Sequence, residues 1–218
     1  MVTFICDSKA MTITQMKKRK IPLQNRSKER VEHILGATRQ LVINQNEVDI
    51  TTSLIARTAN IPIGSVYQYF KDREDIFLTL AEHVLQEQDK KLQKIFDVVS
   101  THAHWRHVVK VILQAYAQVA MEDELYRKLN ALLVTNRAWK QISQASTNRM
   151  ITFFSGYGLL AQHGLSEAEA RNTVRVIVIM VVAVVHRALE LPSEEDARLL
   201  LDEMPKMVTA YLATILGD

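Results

Sequence analysis

The chain is poor in residues that interrupt helices and in residues that cross-link chains. Its 218 residues include six glycines, four prolines and one cysteine, Cys6. The turns of all-β proteins use glycine and proline heavily, so their scarcity favours a mainly helical protein. A single cysteine excludes an intramolecular disulfide framework and a cysteine-based zinc site. We therefore expect an all-α protein of a reducing compartment, the cytoplasm.

The sequence also has no apolar run of the length that a spanning helix needs. Its most apolar stretch, residues 174–185, is interrupted by Arg175, whereas a spanning helix takes about 20 apolar residues. Asp7 and Lys9 precede any run that would suit a signal peptide. We expect residues 174–185 to be part of a buried helix, and we expect no membrane partner.

Positive charge is concentrated at the N-terminus. Residues 1–30 contain eight Lys or Arg and two acidic residues, although the formal net charge of the whole chain is only +3. The densest run is Lys17, Lys18, Arg19 and Lys20. Basic N-terminal arms often contact nucleic acid, but such runs are also commonly solvated tails. Residues 1–26 are interpreted as a basic arm, and contact of this run with DNA is a hypothesis.

Hydrophobic spacing predicts about nine helices and no strand. After the first three, a long helix spans about residues 73–100, others fall near 103–121, 123–135 and 138–162, and two more cover 166–191 and 194–216. Four helices have a residue suited to an N-cap before them: Ser27, Asp72, Ser166 and Ser193. We expect a three-helix unit over residues 27–72 and a helical bundle over residues 73–218.

Residues 51–70 have the pattern of two short helices joined by a tight turn. Apolar Ile55, Ala56, Ala59, Ile61 and Val66 are spaced to hold the two helices together. Polar and aromatic residues remain on the outer face of the second helix, which is typical of a helix-turn-helix. Two short helices with a polar face are also commonly only a structural pair.

This segment closely resembles the DNA-binding domain of the TetR family of transcriptional regulators. The resemblance covers about residues 27–80 and rests on Thr51, Thr52, Ile55, Ala56, Ala59, Ile61, Gly64, Ser65, Tyr67, Tyr69, Phe70, Arg73, Glu74 and Ile76. It implies a homodimer that binds a palindromic double-stranded DNA operator and a C-terminal domain that releases DNA when a small-molecule effector binds. The chain departs from the family where Asn46 and Asn60 replace glycine, and at Pro62 and Ile63.

The resemblance and the residue chemistry together predict a set of DNA contacts. Tyrosine hydroxyls can donate to phosphates, and nearby cations add charge. The predicted contact residues are Thr52, Ser53, Ile63, Gly64, Ser65, Tyr67, Gln68, Tyr69, Lys71 and Arg73, with Lys17, Lys18, Arg19 and Lys20 from the arm.

The C-terminal helices carry stripes of aromatic residues and methionine. Such stripes usually form a core, but they also line cavities that bind small molecules. The predicted lining residues are Trp105, Tyr116, Trp139, Arg149, Met150, Phe153, Tyr157, Met180 and His186. The expected effector is apolar or amphipathic, and it is neutral, or anionic if Arg149 points inward.

The last two helices are more apolar than one chain needs to bury, which predicts a homodimer. The residues expected at its interface are Val178, Val182, Val185, Leu189, Leu201, Val208 and Leu212. Nothing in the sequence predicts an enzyme, a cofactor or a metal site, and the histidines at 102, 104 and 107 lack a fourth ligand. A transcriptional repressor is the main prediction. The alternative is a helical ligand-carrying or scaffolding protein that no longer binds DNA.

Overall fold

The expected all-α architecture is confirmed in a computed structural model of the chain. The model describes residues 14–45, 49–101 and 103–217, with side chains from residue 26 onward. Within these ranges there is no strand, and the helices are α1 (Thr14–Asn44), α2 (Thr52–Thr58), α3 (Ile63–Tyr67), α4 (Arg73–Val99), α5 (Trp105–Glu122), α6 (Glu124–Leu133), α7 (Arg137–Ser155), α8 (Leu159–Gln162), α9 (Glu167–Glu190) and α10 (Glu194–Leu216).

Helix α1 begins earlier than the sequence predicted. It starts at Thr14, so Ser27 lies within the helix instead of capping it. The expected boundary between the basic arm and the three-helix unit, at residues 26 and 27, therefore lies inside a continuous helix. Residues 15–28 are rich in Lys, Arg and Gln, which favour helix. Residues 17–20 belong to this helix, but their side chains lie outside the described ones.

Three of the predicted helix caps are confirmed. The side chain of Asp72 accepts a hydrogen bond from the Asp75 backbone N–H at the start of α4. Ser166 and Glu169 form a reciprocal capping box before α9. Ser193 accepts from the Asp196 N–H before α10. Each cap satisfies a backbone donor that the first helical turn leaves free, so the helix starts are encoded locally.

The predicted helix over residues 138–162 is divided in two. Helix α7 ends at Ser155, and Gly158 follows with φ of 78°. This left-handed backbone conformation is accessible to glycine without a steric cost, and it interrupts a helix. The short helix α8 therefore starts in a new direction, and the described chain has ten helices where about nine were expected.

Helix α4 connects the two parts of the molecule. It packs against α1 in the N-terminal unit and against α5, α6 and α7 in the bundle. The bundle is completed by α9 and α10, which pack against each other, while α9 also contacts α7. One buried apolar cluster runs from Ile34 and Ile55 in the N-terminal unit to Val185 and Val208 in the bundle. A movement of α4 is therefore felt in both parts.

Helix α9 alone among the described helices is long and apolar enough to cross a membrane. Length and composition are weak evidence for a span, because the core helix of a bundle meets the same criterion. Here one side of α9 packs against α7 and α10, and Val178 and Val185 are buried in the core. Its outward side is treated below as a protein interface.

Candidate nucleic-acid interface and ligand cavity

The turn between α2 and α3 is formed by hydrogen bonds that reverse the chain sharply. Asn60 has φ of 50°, and it is the one non-glycine residue with positive φ in the described part of the chain. The Asn60 N–H donates to Arg57 O and the Ile61 N–H donates to Ala56 O, each at 3.0 Å. This pair of bonds is a Schellman motif, in which the position of Asn60 is usually glycine. Asparagine tolerates positive φ, so the turn forms with Asn60 in the place of the family's glycine.

Helix α3 presents most of its surface to solvent. Pro62 is its N-cap, and Val66 is its one fully buried residue. Ile63 and Tyr67 are 42% and 55% exposed. Gln68 follows the helix and is exposed as well. An outer face that remains free is the requirement for a recognition helix.

Among the other predicted DNA-contact residues, the exposed ones are Ser53, Gly64, Lys71 and Arg73, while Thr52 and Ser65 are partly buried. Tyr69 packs against the core cluster. Arg73 differs from the expectation of a simple phosphate contact, because its Nη1 donates to Ile50 O at 3.0 Å. Its guanidinium also lies 5.6 Å from the ring centroid of Phe77. Arg73 therefore links the start of α4 to Ile50, two residues before α2.

Several exposed cations near this unit were not singled out from the sequence. Arg57 is exposed at the end of α2, and Lys28 and Arg30 are exposed on α1. Their charge was counted, but helical spacing alone does not say which cations share a side of the folded unit. The predicted side chains of Lys17, Lys18, Arg19 and Lys20 lie outside the described residues.

The C-terminal bundle encloses a cavity of about 530 Å³. Residues from α4 to α10 line it, and most of them are apolar. This size is within the range of small-molecule sites. The cavity lies between α5, α7 and α9 and against α4, which is where the aromatic stripes predicted it.

The structure brings some of the predicted lining residues together and excludes others. Residues at the cavity wall are Trp105, Tyr116, Met150, Tyr157 and His186. Trp139, Phe153 and Met180 do not line it. Trp139 is buried, and its Nε1 donates to Asn130 Oδ1 on α6. Phe154 lines the cavity in place of its neighbour Phe153, because a helical stripe defines a face only to within about one residue.

A buried carboxylate at the cavity wall was missed from the sequence. Asp89 on α4 is buried, and its Oδ1 accepts from Ser146 Oγ at 2.8 Å while its Oδ2 accepts from Arg149 Nε at 2.9 Å. Arg149 Nη2 also lies 2.8 Å from Oδ2 as an ion-pair contact, without the alignment of a hydrogen bond. Burial raises the pKa of Asp89, against the lowering effects of Ser146 and Arg149.

Arg149 therefore neutralises Asp89 and is not itself a lining residue. The signal that could have found this pair is an acidic residue in the apolar stripe of α4, at a position where a helix facing the core normally has an apolar side chain.

Two tyrosines and a histidine are among the further polar residues that line the cavity. The hydroxyl of Tyr126 lies 3.1 Å from His186 Nε2. Burial raises the pKa of Tyr126 to about 12 and lowers the pKa of His186, so both are neutral at pH 7. Burial also raises the pKa of Tyr116. Among the described residues the Tyr116 hydroxyl has no hydrogen-bond partner.

Four of the residues predicted for dimerisation are part of the chain's own core. Val178, Val185, Val208 and Leu212 are buried within a single chain, which leaves them unavailable to a partner. Val182, Leu189 and Leu201 are partly buried against the same core. The exposed apolar residues on α9 and α10 are others: Val176, Ile179, Leu199 and Met207. The prediction selected the inward stripe of both helices.

An exposed helix-turn-helix joined to a helical bundle with an internal cavity defines a class of one-component regulatory proteins. Two family models match the chain: bacterial regulatory proteins of the tetR family over residues 34–80, and the tetracyclin repressor-like C-terminal domain over residues 104–212. The chain belongs to the TetR family.

Comparison with individual proteins agrees with this assignment. The HTH-type transcriptional regulator HbdR of Aromatoleum sp. (strain CIB) is 29% identical over 129 residues, which are 56% of this chain. The match spans 55% of the relative, about half its length.

Two solved structures have the same fold. A TetR-family regulator from Pectobacterium atrosepticum has a TM-score of 0.70 and 17% identity, and the match covers 88% of this chain and 96% of that one. A TetR-family regulator from Mesorhizobium loti has a TM-score of 0.67 and 18% identity, with coverage of 87% and 98%.

Proposed function

We propose that this chain is a DNA-binding transcriptional repressor that acts in the cytoplasm. The observation that carries the proposal is the exposed outer face of α3 within a helix-turn-helix whose inner face is fully packed. Ile63 and Tyr67 are exposed there, while Val66 is at 0% exposure. Ile63 and Tyr67 lie on the same short helix, so their exposed side chains are available together to a binding partner. Apolar contacts to thymine methyl groups and hydroxyl contacts to phosphates suit these residues.

Gly64 supports the same proposal. A Cβ added at Gly64 would meet no atom within 4 Å in the chain itself. The fold therefore has no steric need for glycine there. A glycine on the exposed face of a recognition helix lets the backbone approach another surface closely, and DNA is the surface that this position fits.

The protein is proposed to act as a homodimer through α9 and α10. Val176, Ile179, Leu199 and Met207 are exposed apolar residues of these two helices, which pack against each other, and are here called the outer patch. Several exposed apolar residues on neighbouring helices are typical of an interface. A two-fold arrangement would place two recognition helices on successive turns of a palindromic operator, about 34 Å apart.

Ligand binding in the cavity is proposed to reduce operator affinity. Helix α4 is suited to carry the effect, since Arg73 at its start is bonded to Ile50 beside α2 while Asp89 lines the cavity. A second connection runs through α6, where Lys128 Nζ donates to Ile43 O near the end of α1. A ligand that favours one position of α4 or α6 shifts the DNA-binding unit by linkage.

The test is a matched pair of glycine substitutions assayed for stability and for DNA binding. Gly36 in α1 and Gly64 in α3 are both exposed and helical, and neither would clash after addition of a Cβ. Both Gly36→Ala and Gly64→Ala should raise the free energy of unfolding by about 0.5–1 kcal/mol. Only Gly64→Ala should weaken binding to the operator, located by footprinting on the DNA upstream of the gene.

Salt dependence completes the test. Operator affinity should fall steeply as salt rises, because phosphate contacts release counterions. A wild-type protein that protects no DNA at low salt would exclude the regulator function. Equal operator binding by both alanine variants would show that α3 does not approach DNA at Gly64.

A further inference from the structure

The charges that face the cavity cancel within the protein. Among the described lining residues Asp89 is the one Asp, Glu, Lys or Arg, and the guanidinium of Arg149 is paired with it. His186 is held neutral by burial, which lowers its pKa. A ligand anion would find no free cation in this wall, and a ligand cation would have to displace Arg149 from Asp89.

The Tyr116 hydroxyl is a hydrogen-bond donor in the wall that the protein leaves available. It lines the cavity, and no described side chain or backbone group accepts its proton. Its pKa is raised by burial, so it stays protonated and able to donate. A ligand acceptor placed against Tyr116 would therefore gain a hydrogen bond without breaking one within the protein.

The polar and aromatic parts of the wall are separated along α4. Asp89 and Phe96 both line the cavity from this helix and are seven residues apart, about 10 Å along its axis. Phe96 packs edge-on against Tyr157, with ring centroids 4.5 Å apart. Tyr157 is exposed, and its hydroxyl donates to Ser100 O at 2.8 Å. A polar ligand group that binds beside the buried Asp89 and Tyr126 must leave water, and this costs far more for a charged group than for a neutral one.

We propose that the cavity binds an uncharged amphipathic molecule whose carbonyl oxygen accepts a hydrogen bond from Tyr116, while its apolar body extends toward Phe96 and Tyr157. Ketones, esters, lactones and amides with an apolar chain have this chemistry. The proposal rests on the function proposed above and specifies the effector of that same cavity.

The test uses three probes with one chain length and different polar groups: 2-decanone, decanoate and decylamine. Isothermal titration calorimetry with the full chain should show the ketone binding about 10-fold or more tightly than either charged probe, because neither charge is compensated in the wall. Tighter binding of decanoate or decylamine would overturn the proposal, as would no binding of 2-decanone.

Two tyrosine variants locate the hydrogen bond. Tyr116→Phe should weaken 2-decanone binding by about 3- to 10-fold, the effect of one neutral hydrogen bond. Tyr211→Phe is the matched control and should leave ketone affinity unchanged, because Tyr211 on α10 does not line the cavity. Equal affinities for wild type and Tyr116→Phe, with both folded by circular dichroism, would overturn the assignment.

Operator binding is measured separately on the same samples, so the two proposals fail in different ways. If the proposed regulator function is wrong, the protein gives no footprint on DNA, whichever of the three probes it prefers. An incorrect ligand class appears as a preference for a charged probe in a protein that still binds its operator.

Discussion

Single residues set the electrostatics of the cavity, and Asp89 has the largest effect. Its carboxylate is buried beside Ser146 and Arg149, yet burial raises its pKa above the ordinary value of 3.8. Between pH 3.8 and the pKa of Asp89 in the folded state, the folded chain therefore binds more protons at Asp89 than the unfolded chain does. The stability that this proton contributes is present in full below the unfolded pKa and is lost as the pH rises through the folded pKa.

Substitution of Asp89 by Asn should remove this pH dependence. We expect the free energy of unfolding of Asp89→Asn, relative to wild type, to increase as the pH rises from about 4 to about 7. Urea denaturation at a series of pH values measures it. Asp97→Asn, at an exposed position of the same helix, is the control and should show a smaller dependence. A change in the opposite direction would mean that Ser146 and Arg149 outweigh the burial of the carboxylate.

Asn60 is the residue at which the backbone of the helix-turn-helix requires an unusual conformation. Its φ of 50° is disfavoured for residues with a Cβ and is tolerated best by Gly and Asn. Asn60→Ala should therefore lower the free energy of unfolding by about 1–2 kcal/mol, while Asn60→Gly should leave it nearly unchanged or slightly higher. Thermal unfolding compares the two variants. Equal stability of the alanine and glycine variants would contradict this account.

At the scale of helices, local signals predicted the starts of the elements better than their ends or their inward faces. Asp72, Ser166 and Ser193 were recognised because a cap is a local contact within four residues. The end of α7 was missed because it depends on one glycine, Gly158, whose left-handed backbone is not visible in the spacing of apolar residues. The start of α1 was placed too late, because Ser27 is a good capping residue in sequence but lies within a longer helix.

Helix α6 gives a prediction about coupling between the cavity and the DNA-binding unit. Tyr126 faces the cavity, and Lys128, two residues later, donates to Ile43 O on α1. Lys128→Met should reduce the factor by which an effector lowers operator affinity, by about 2- to 30-fold, as expected for loss of about 0.5–2 kcal/mol of coupling. The measurement is the operator dissociation constant with and without saturating ligand.

Lys140→Met is the control for this substitution, since Lys140 is exposed on α7. It should leave the effect of the ligand on operator affinity as in wild type. If Lys128→Met retains the full effect, coupling runs through α4 and not through α6.

At the scale of the whole molecule, the sequence predicted the architecture and the location of the cavity, but not the division of α9 and α10 into inner and outer faces. Both faces of α9 are apolar, with Val178 and Val185 inside and Val176 and Ile179 outside. Periodicity identifies the direction of a helix face only when the opposite face is polar. The packing of α7 and α10 against α9 decides between the faces, and that packing is a long-range property.

The test of dimerisation therefore uses residues of the outer faces of α9 and α10. A charge at Leu212 would be placed in the core of a single chain and would unfold it, whereas Ile179 and Leu199 of the outer patch are 52% and 58% exposed. The double variant Ile179→Glu with Leu199→Glu should remain folded by circular dichroism and become monomeric by analytical ultracentrifugation, because four like charges would meet across the two-fold axis. Its operator affinity should fall by about 10-fold or more, since each half-site is then bound alone.

Val98→Glu is the control for the outer patch. Val98 is a large apolar residue of α4 that is 78% exposed, so it tests whether a glutamate at any exposed apolar position has the same effect. It should stay dimeric and keep wild-type operator affinity. A dimeric double variant would show that α9 and α10 do not form the interface, and a monomeric one with unchanged operator affinity would show that binding does not require two recognition helices on one operator.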